Sequence, residues 1–241
     1  MNSQAQGVTA VAAIDQSLAL WEDWNHQGVE QRIALLNAWA DSVSHRGGQV
    51  FSDTAAMIRF QCQSATRYLS PVHEMPGPTG ESNELYASGR GVFAVTGDSS
   101  LTVIALAGQL AATLLAGNCA VVVVPDAVAE QADALLADLV KAGCPARVAS
   151  RIADTELAAI TTDPRLAGVA VTAHQNVIRE INQRLAGRSG LLAQLVAETD
   201  ASQLMTIGSP SYILRFITER TRTINVTAVG GNATLLELGS G

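Results

Sequence analysis

The alternation of apolar and polar positions divides the chain into two grammars. In VAAIDQSLALWEDWNHQGVEQRIALLNAWADSV, Leu18, Trp21, Ile33, Leu36 and Trp39 recur at helical spacing, and Asn25 to Gly28 breaks the run into a helix pair. A third helical stretch follows the Gly47-Gly48 break and runs from about Ser52 to Leu69. PVHEMPGPTGESNELYASGRG then brings three prolines and four glycines, which predicts an extended excursion with turns. From Gly91 the period changes. GVFAVTG, NCAVVVVP, ARVASRI and GVAVTA read as strands, and the segments LTVIALAGQLAATLLAG, AVAEQADALLADLVKAG, DTELAAITTDP and VIREINQRLAG between and after them read as helices. LLAQLVAE and QLMTIG are expected to close this part as strands, and TRTINVTAVGGNATLLELG reads as a hairpin about its Gly-Gly turn.

Strands alternating with helices of this length predict βαβ units and a parallel sheet, hence a three-layer α/β Rossmann-like domain. The expected organisation is a helical segment at 1–72, an extended excursion at 73–90 that pairs with the flap, the α/β domain at 91–209 and a β-flap at 210–241 that serves oligomerisation. Composition agrees: 48% of residues are hydrophobic and 15% charged, which suits a sheet buried on both faces. The net charge of −7 with scattered basic residues argues against nucleic acid as a partner. The longest apolar run, CAVVVVP, has the length of a buried strand and not of a membrane span, and the first residues lack the pattern of a signal peptide. Cys62, Cys119 and Cys144 are too widely spaced for a disulfide framework or a zinc site, which points to the cytoplasm. His26, His45 and His73 show no i, i+4 pairing, so no metal site is expected.

The stretch with the most chemical content is GVAVTAHQNVIREINQRLA, a strand, a polar corner and a helix start. That arrangement cradles a cofactor phosphate in many α/β proteins, yet this corner holds no glycine.

Several stretches together resemble the aldehyde dehydrogenase superfamily, and most closely the Δ1-pyrroline-5-carboxylate dehydrogenase module of proline utilization A proteins. They are GPTGESNELY, GQLAATLLAGNCAVVVVP, TAHQNVIREINQRLAG, LVAETDASQLMTIGS and SYILRFITERTRTINVTAVGGNATLLELG. The resemblance implies NAD chemistry, a nucleophilic cysteine in a separate catalytic domain, and Glu198 as the counterpart of the general base. It also implies that the closing flap pairs with a neighbouring chain. Here Glu198 and Ser211 are almost adjacent, so the catalytic domain and its nucleophile are missing from between them. Val124 stands before Pro125 where the family has a ribose-binding Lys, and Thr172-Ala173-His174 stands where it has a TGS corner. Asp98, Ser99 and Ser100 occupy the place of an oxyanion-binding Asn, and a carboxylate there would repel an oxyanion. Asp200 and Ala201 replace glycines after Glu198.

Glu198 therefore reads as an inherited strand-end carboxylate, solvated or paired, and His174 as a neutral surface histidine. Asp98 with Ser99 and Ser100 reads as a cap for the following helix. Glu219, Arg220 and Arg222 read as charge on a sheet edge. Thr96, Pro125, Thr172 and His174 mark where a dinucleotide would have sat, and no cofactor is expected. The leading expectation is a non-catalytic structural or assembly module. Its expected partner is a second copy or a dehydrogenase, bound through residues 222–241. Two alternatives stand: an NAD-dependent pyrroline-5-carboxylate dehydrogenase with a remade site, and a nucleotide or small-ligand binding protein.

Overall fold

The computed structural model describes residues 8–78 and 80–225. Three helices come first: α1 (Ala10–His26), α2 (Val29–Ser44) and α3 (Gln49–Tyr68). Thr9 caps the first by accepting from the Ala12 amide at 3.3 Å. Gly28, at φ 81°, and Gly48, at φ 84°, stand before the other two in the left-handed region that makes both corners sharp. The excursion forms β1 (His73–Met75) and β2 (Glu81–Gly89).

The α/β part then runs β3 (Val92–Gly97), α4 (Val103–Leu115), β4 (Cys119–Val123), α5 (Asp126–Lys141) and β5 (Ala149–Ile152). It continues with α6 (Leu157–Thr162), β6 (Leu166–Thr172), α7 (Gln175–Ala186) and β7 (Gln194–Glu198). A last strand, β8 (Ile217–Asn225), follows a short 3-10 turn at Tyr212–Phe216. Five strands make a parallel sheet in the order β5-β4-β3-β6-β7, with every register parallel. The central strands β3 and β4 are buried at every position, which is why their sequences are unbroken apolar runs. Helices α4 and α5 lie on the sheet with α2 and α3 packed outside them, while α1 packs on β3, β4, β5 and α6.

The helical segment is pinned to the α/β part by donors that reach backbone carbonyls. The indoles of Trp21 and Trp24 donate to Gly117 O and Leu114 O, both at 3.1 Å, and Trp39 donates to Leu135 O at 3.0 Å. Arg32 Nε adds a bond to Leu115 O at 3.0 Å. Trp21, Trp24 and Arg32 thereby meet carbonyls at the end of α4, while Trp39 reaches one within α5.

Two expectations need correction. QLMTIG is not a strand: residues 203–208 are turns, with Leu204 at φ 51°. The strand expected in ARVASRI begins only at Ala149, because Arg147 takes a left-handed φ of 80°. The flap's Gly-Gly turn lies outside the described residues. The described part of the closing segment, β8, pairs antiparallel with β2 of its own chain from Glu81↔Asn225 to Gly89↔Ile217. Nine residues of β2 lie alongside it. The meeting with another chain expected through residues 222–241 concerns a segment of which 226–241 lie outside the described residues.

Candidate functional site

The order of the parallel sheet reverses between β3 and β6, so the crevice in which such sheets bind ligands opens between Gly97 and Thr172. Three successive residues of the β6–α7 corner are committed there. Thr172 O accepts from the Asp98 amide at 3.2 Å, and the Ala173 amide donates to Glu198 O at 3.1 Å. The His174 amide donates to Asp98 Oδ2 at 2.8 Å, and the same oxygen meets His174 Nδ1 at 2.7 Å. Asp98 Oδ1 accepts from Ser100 N at 2.8 Å and from Ser100 Oγ at 2.6 Å.

Burial alone would raise the Asp98 pKa, but the bonds from Ser100 and His174 outweigh it and hold the carboxyl well below the usual carboxylate range. An ionised Asp98 is an acceptor only, so His174 Nδ1 is the donor and Nε2 is the free ring nitrogen. The carboxylate lies against the first turn of α7, where the helix dipole favours negative charge. The chain thus supplies its own anion where a phosphate would need to sit.

This replaces the capping role expected for Asp98, Ser99 and Ser100. Helix α4 is capped by Thr102, whose Oγ1 accepts from the Ala105 amide at 3.2 Å. Asp98 leaves β3 directly across the reversal point and therefore faces α7. His174 is at the surface as expected, with its side chain 67% exposed, but it has a carboxylate partner 76 residues away in sequence.

Glu198 is 2% exposed, so of the two states expected from sequence, solvated or paired, it is not the solvated one, and its partners are backbone amides. Its Oε1 accepts from the amides of Thr199 at 2.9 Å and Asp200 at 3.1 Å, and its Oε2 from Thr206 at 2.7 Å and Ile207 at 3.1 Å. Four backbone donors around one carboxylate hold the whole turn 199–207 in place. Gln61 Nε2 secures the far end by donating to Ile207 O at 2.8 Å. Burial and the Glu198 charge push the Tyr212 hydroxyl far above its ordinary pKa. The chain then docks through Phe216, whose ring lies 5.3 Å from that of Phe93. Residues 199–211, the link where the family has a catalytic domain, are thus a strapped return from β7 toward β8.

The other residues of the expected site are internal. Thr96 is buried and donates to Val123 O at 2.6 Å. Thr172 is buried against Gln109, whose amide oxygen, in the orientation that satisfies both sides, accepts from Thr172 N at 2.9 Å and Val171 N at 3.2 Å. Val124 and Ala173 are each 1% exposed, so their side chains fill the interior and leave no polar group at the crevice. Pro125 stands before α5 as its N-cap residue and accepts at its carbonyl from the Val128 amide at 3.0 Å. The three cysteines are buried, and burial pushes their thiols up to about 12. Among the described residues, no group of three or more His, Cys, Asp or Glu side chains is placed to hold a metal ion. Also among them, no helix is long and apolar enough to cross a membrane.

Two cavities occupy the opposite edge of the sheet. One, of about 650 Å³, lies between the starts of β3 and β6 and the end of β2, with Arg90, Arg165 and Arg220 in its wall. The other, of about 330 Å³, lies between the α1–α2 corner, the end of α3 and strands β2 and β8. The sequence marked Arg220 and Arg222 only as charge on a sheet edge; the structure places Arg220 in both walls and Arg222 in the second.

Comparison with known proteins agrees with this architecture. A family model described as the aldehyde dehydrogenase family matches residues 2–207. The bifunctional protein PutA of Rhizobium meliloti is 31% identical over 169 residues, which is 69% of this chain and 12% of that protein. A proline utilization A structure from Bradyrhizobium japonicum superposes with a TM-score of 0.73 at 29% identity, over 79% of this chain and 22% of that one. A putative aldehyde dehydrogenase from Burkholderia cenocepacia shares the fold, with a TM-score of 0.68 at 18% identity, over 78% of this chain and 43% of that one. The chain therefore spans a small part of the length of the proline utilization A proteins it matches.

Proposed function

We propose that this chain, which belongs to the aldehyde dehydrogenase family, is a non-catalytic structural or assembly module of the cytoplasm. The observation that carries the reading is the state of its thiols. Acyl transfer in this family needs a cysteine thiolate, and all three cysteines here are interior, with thiols pushed to about 12. Glu198, the counterpart of the general base, has its oxygens committed to four amides. The corner amides of Ala173 and His174 that would face a pyrophosphate are spent on Glu198 O and Asp98.

The partner in this reading is a second copy or a proline-catabolic dehydrogenase, a class taken from the relatives' names. Strand β8 supports it. It lies at one edge of the three-stranded sheet β1-β2-β8, and its last seven residues are exposed. The edge strand of a sheet is a place for another chain to pair.

A second reading, an NAD-dependent pyrroline-5-carboxylate dehydrogenase with a remade site, is favoured by the intact strand order and by Glu198 at the end of β7. One assay separates the two: NADH formation from pyrroline-5-carboxylate by the purified full chain. No rate above the protein-free blank is expected. Turnover that scales with protein concentration and is retained after alkylation of accessible thiols would replace the first reading with the second.

A further inference from the structure

The smaller cavity gathers positive charge without an acid. Its wall includes His26, Arg32, Arg220 and Arg222, and among the described residues no aspartate or glutamate lines it, in a chain whose net charge is −7. Arg32 is 5% exposed, and it is held by carbonyls alone. Its Nε donates to Leu115 O at 3.0 Å, and its Nη1 to Trp24 O at 3.2 Å and Asn25 O at 2.9 Å. Those oxygens end helices α1 and α4, whose dipoles favour a cation. Burial lowers the Arg32 pKa to about 10, which leaves it charged at neutral pH. Its Nη2 has no acceptor among the described residues.

One other feature of the wall points the same way. Arg220 has no ion pair or hydrogen bond among the described residues, so its planar fork is unspent. Arg222, by contrast, is engaged by Glu84 across the β2–β8 ladder and lies 5.7 Å from the Tyr86 ring centroid. The wall also holds the apolar Val29, Leu69, Val72, Ala87 and Ala116 and the polar Asn25 and Ser88. The donors that Arg32 and Arg220 have left over are open to an anion at this wall.

We infer that this cavity binds a small organic carboxylate, held through Arg32 and Arg220 with its short apolar body against Leu69, Val72 and Ala116. A volume of about 330 Å³ is at the small end of ligand sites, which limits the guest to a compact acid. The free guanidinium of Arg220 matches a planar carboxylate with two parallel bonds. Inorganic phosphate offers two more oxygens, and the wall's Asn25 and Ser88 are already bonded to each other at 3.0 Å. The inference is independent of whether the chain is catalytic.

The test is ligand-observed NMR and calorimetry on the full chain, with butyrate and inorganic phosphate as probes. Butyrate is expected to bind saturably in the millimolar range, and phosphate more weakly. Arg220→Gln, at an exposed position that leaves the fold intact, should weaken butyrate by about tenfold, the value of one charge-assisted bond. Absence of saturable butyrate binding would overturn the inference, as would butyrate binding that Arg220→Gln leaves unchanged. Phosphate binding tighter than butyrate would overturn the assignment to an organic carboxylate.

Discussion

Asp98 Oδ2 accepts both the backbone amide of His174, at 2.8 Å, and its ring Nδ1, at 2.7 Å, across the point where the strand order reverses. One carboxylate thereby closes the crevice that this class of sheet uses for ligands, and its charge opposes any phosphate approaching α7. Asp98→Ala removes the charge and frees the His174 amide. A thermal shift with NAD or AMP, absent in the parent at millimolar ligand, is expected to appear in the variant. A shift of equal size in both proteins would show that the clasp does not guard the crevice.

The same pair makes a pH prediction. The folded pKa of Asp98 is depressed, so its contribution to stability is present above the ordinary aspartate value of 3.8 and is lost as pH falls toward the folded pKa. Asp98→Asn should cost about 1 to 2 kcal/mol at pH 7, the value of charge-assisted bonds on a mostly buried carboxylate. In urea denaturation the gap between parent and variant should narrow below about pH 4. A gap that stays constant down to pH 2.5, roughly a unit and a half below a free aspartate, would remove the carboxylate from the account.

Glu198→Gln places an NH2 group against amides that now donate to a carboxylate. With the site 2% exposed, no water is at hand to relieve the conflict, and a loss of about 3 kcal/mol is expected. Limited proteolysis should then cut within residues 199–211, because that link is held by the four bonds to this side chain. Parent-like protease resistance would mean that Gln61 and the aromatic contacts suffice to hold it.

Gly108 marks where the link presses on the core. A β-carbon there would lie 2.6 Å from Ile207 Cγ2 and 3.0 Å from Met57 Cγ. Gly108→Ala should therefore destabilise by about 1 to 2 kcal/mol, overpacking outweighing the helix propensity that alanine gains. A higher melting temperature in the variant would show that Ile207 yields easily.

The thiols offer a direct check on the proposed lack of catalysis. Native protein at pH 8 should label with iodoacetamide far more slowly than unfolded protein, since thiols at about 12 carry little thiolate. One cysteine labelling at the rate of a free thiol would reopen the enzymatic reading.

Strand β8 predicts assembly through its outer edge. Removing residues 222–241 is expected to convert an oligomer to a monomer in small-angle scattering. An unchanged particle mass would take away the support for the assembly role.

What the sequence determined by itself is the set of elements and their class. Val121, Val122 and Val123 could belong only to a strand buried on both sides, and Leu36 and Trp39 to a helix with one buried face, because burial imposes those periods locally. The loss of chemistry was also legible, in Val124, in Ala173 and in the few residues between Glu198 and Ser211. Only the tertiary structure decided what took its place. Asp98 meets His174 over a separation of 76 residues, Glu198 gathers four amides from a turn that has no period, and Arg32 reaches carbonyls of two helices. Those arrangements are bonds between polar side chains and backbone or ring groups, some of them far along the chain and others within one turn. No spacing along the chain encodes them; they exist because the sheet reverses its order and brings strand ends and helix ends together.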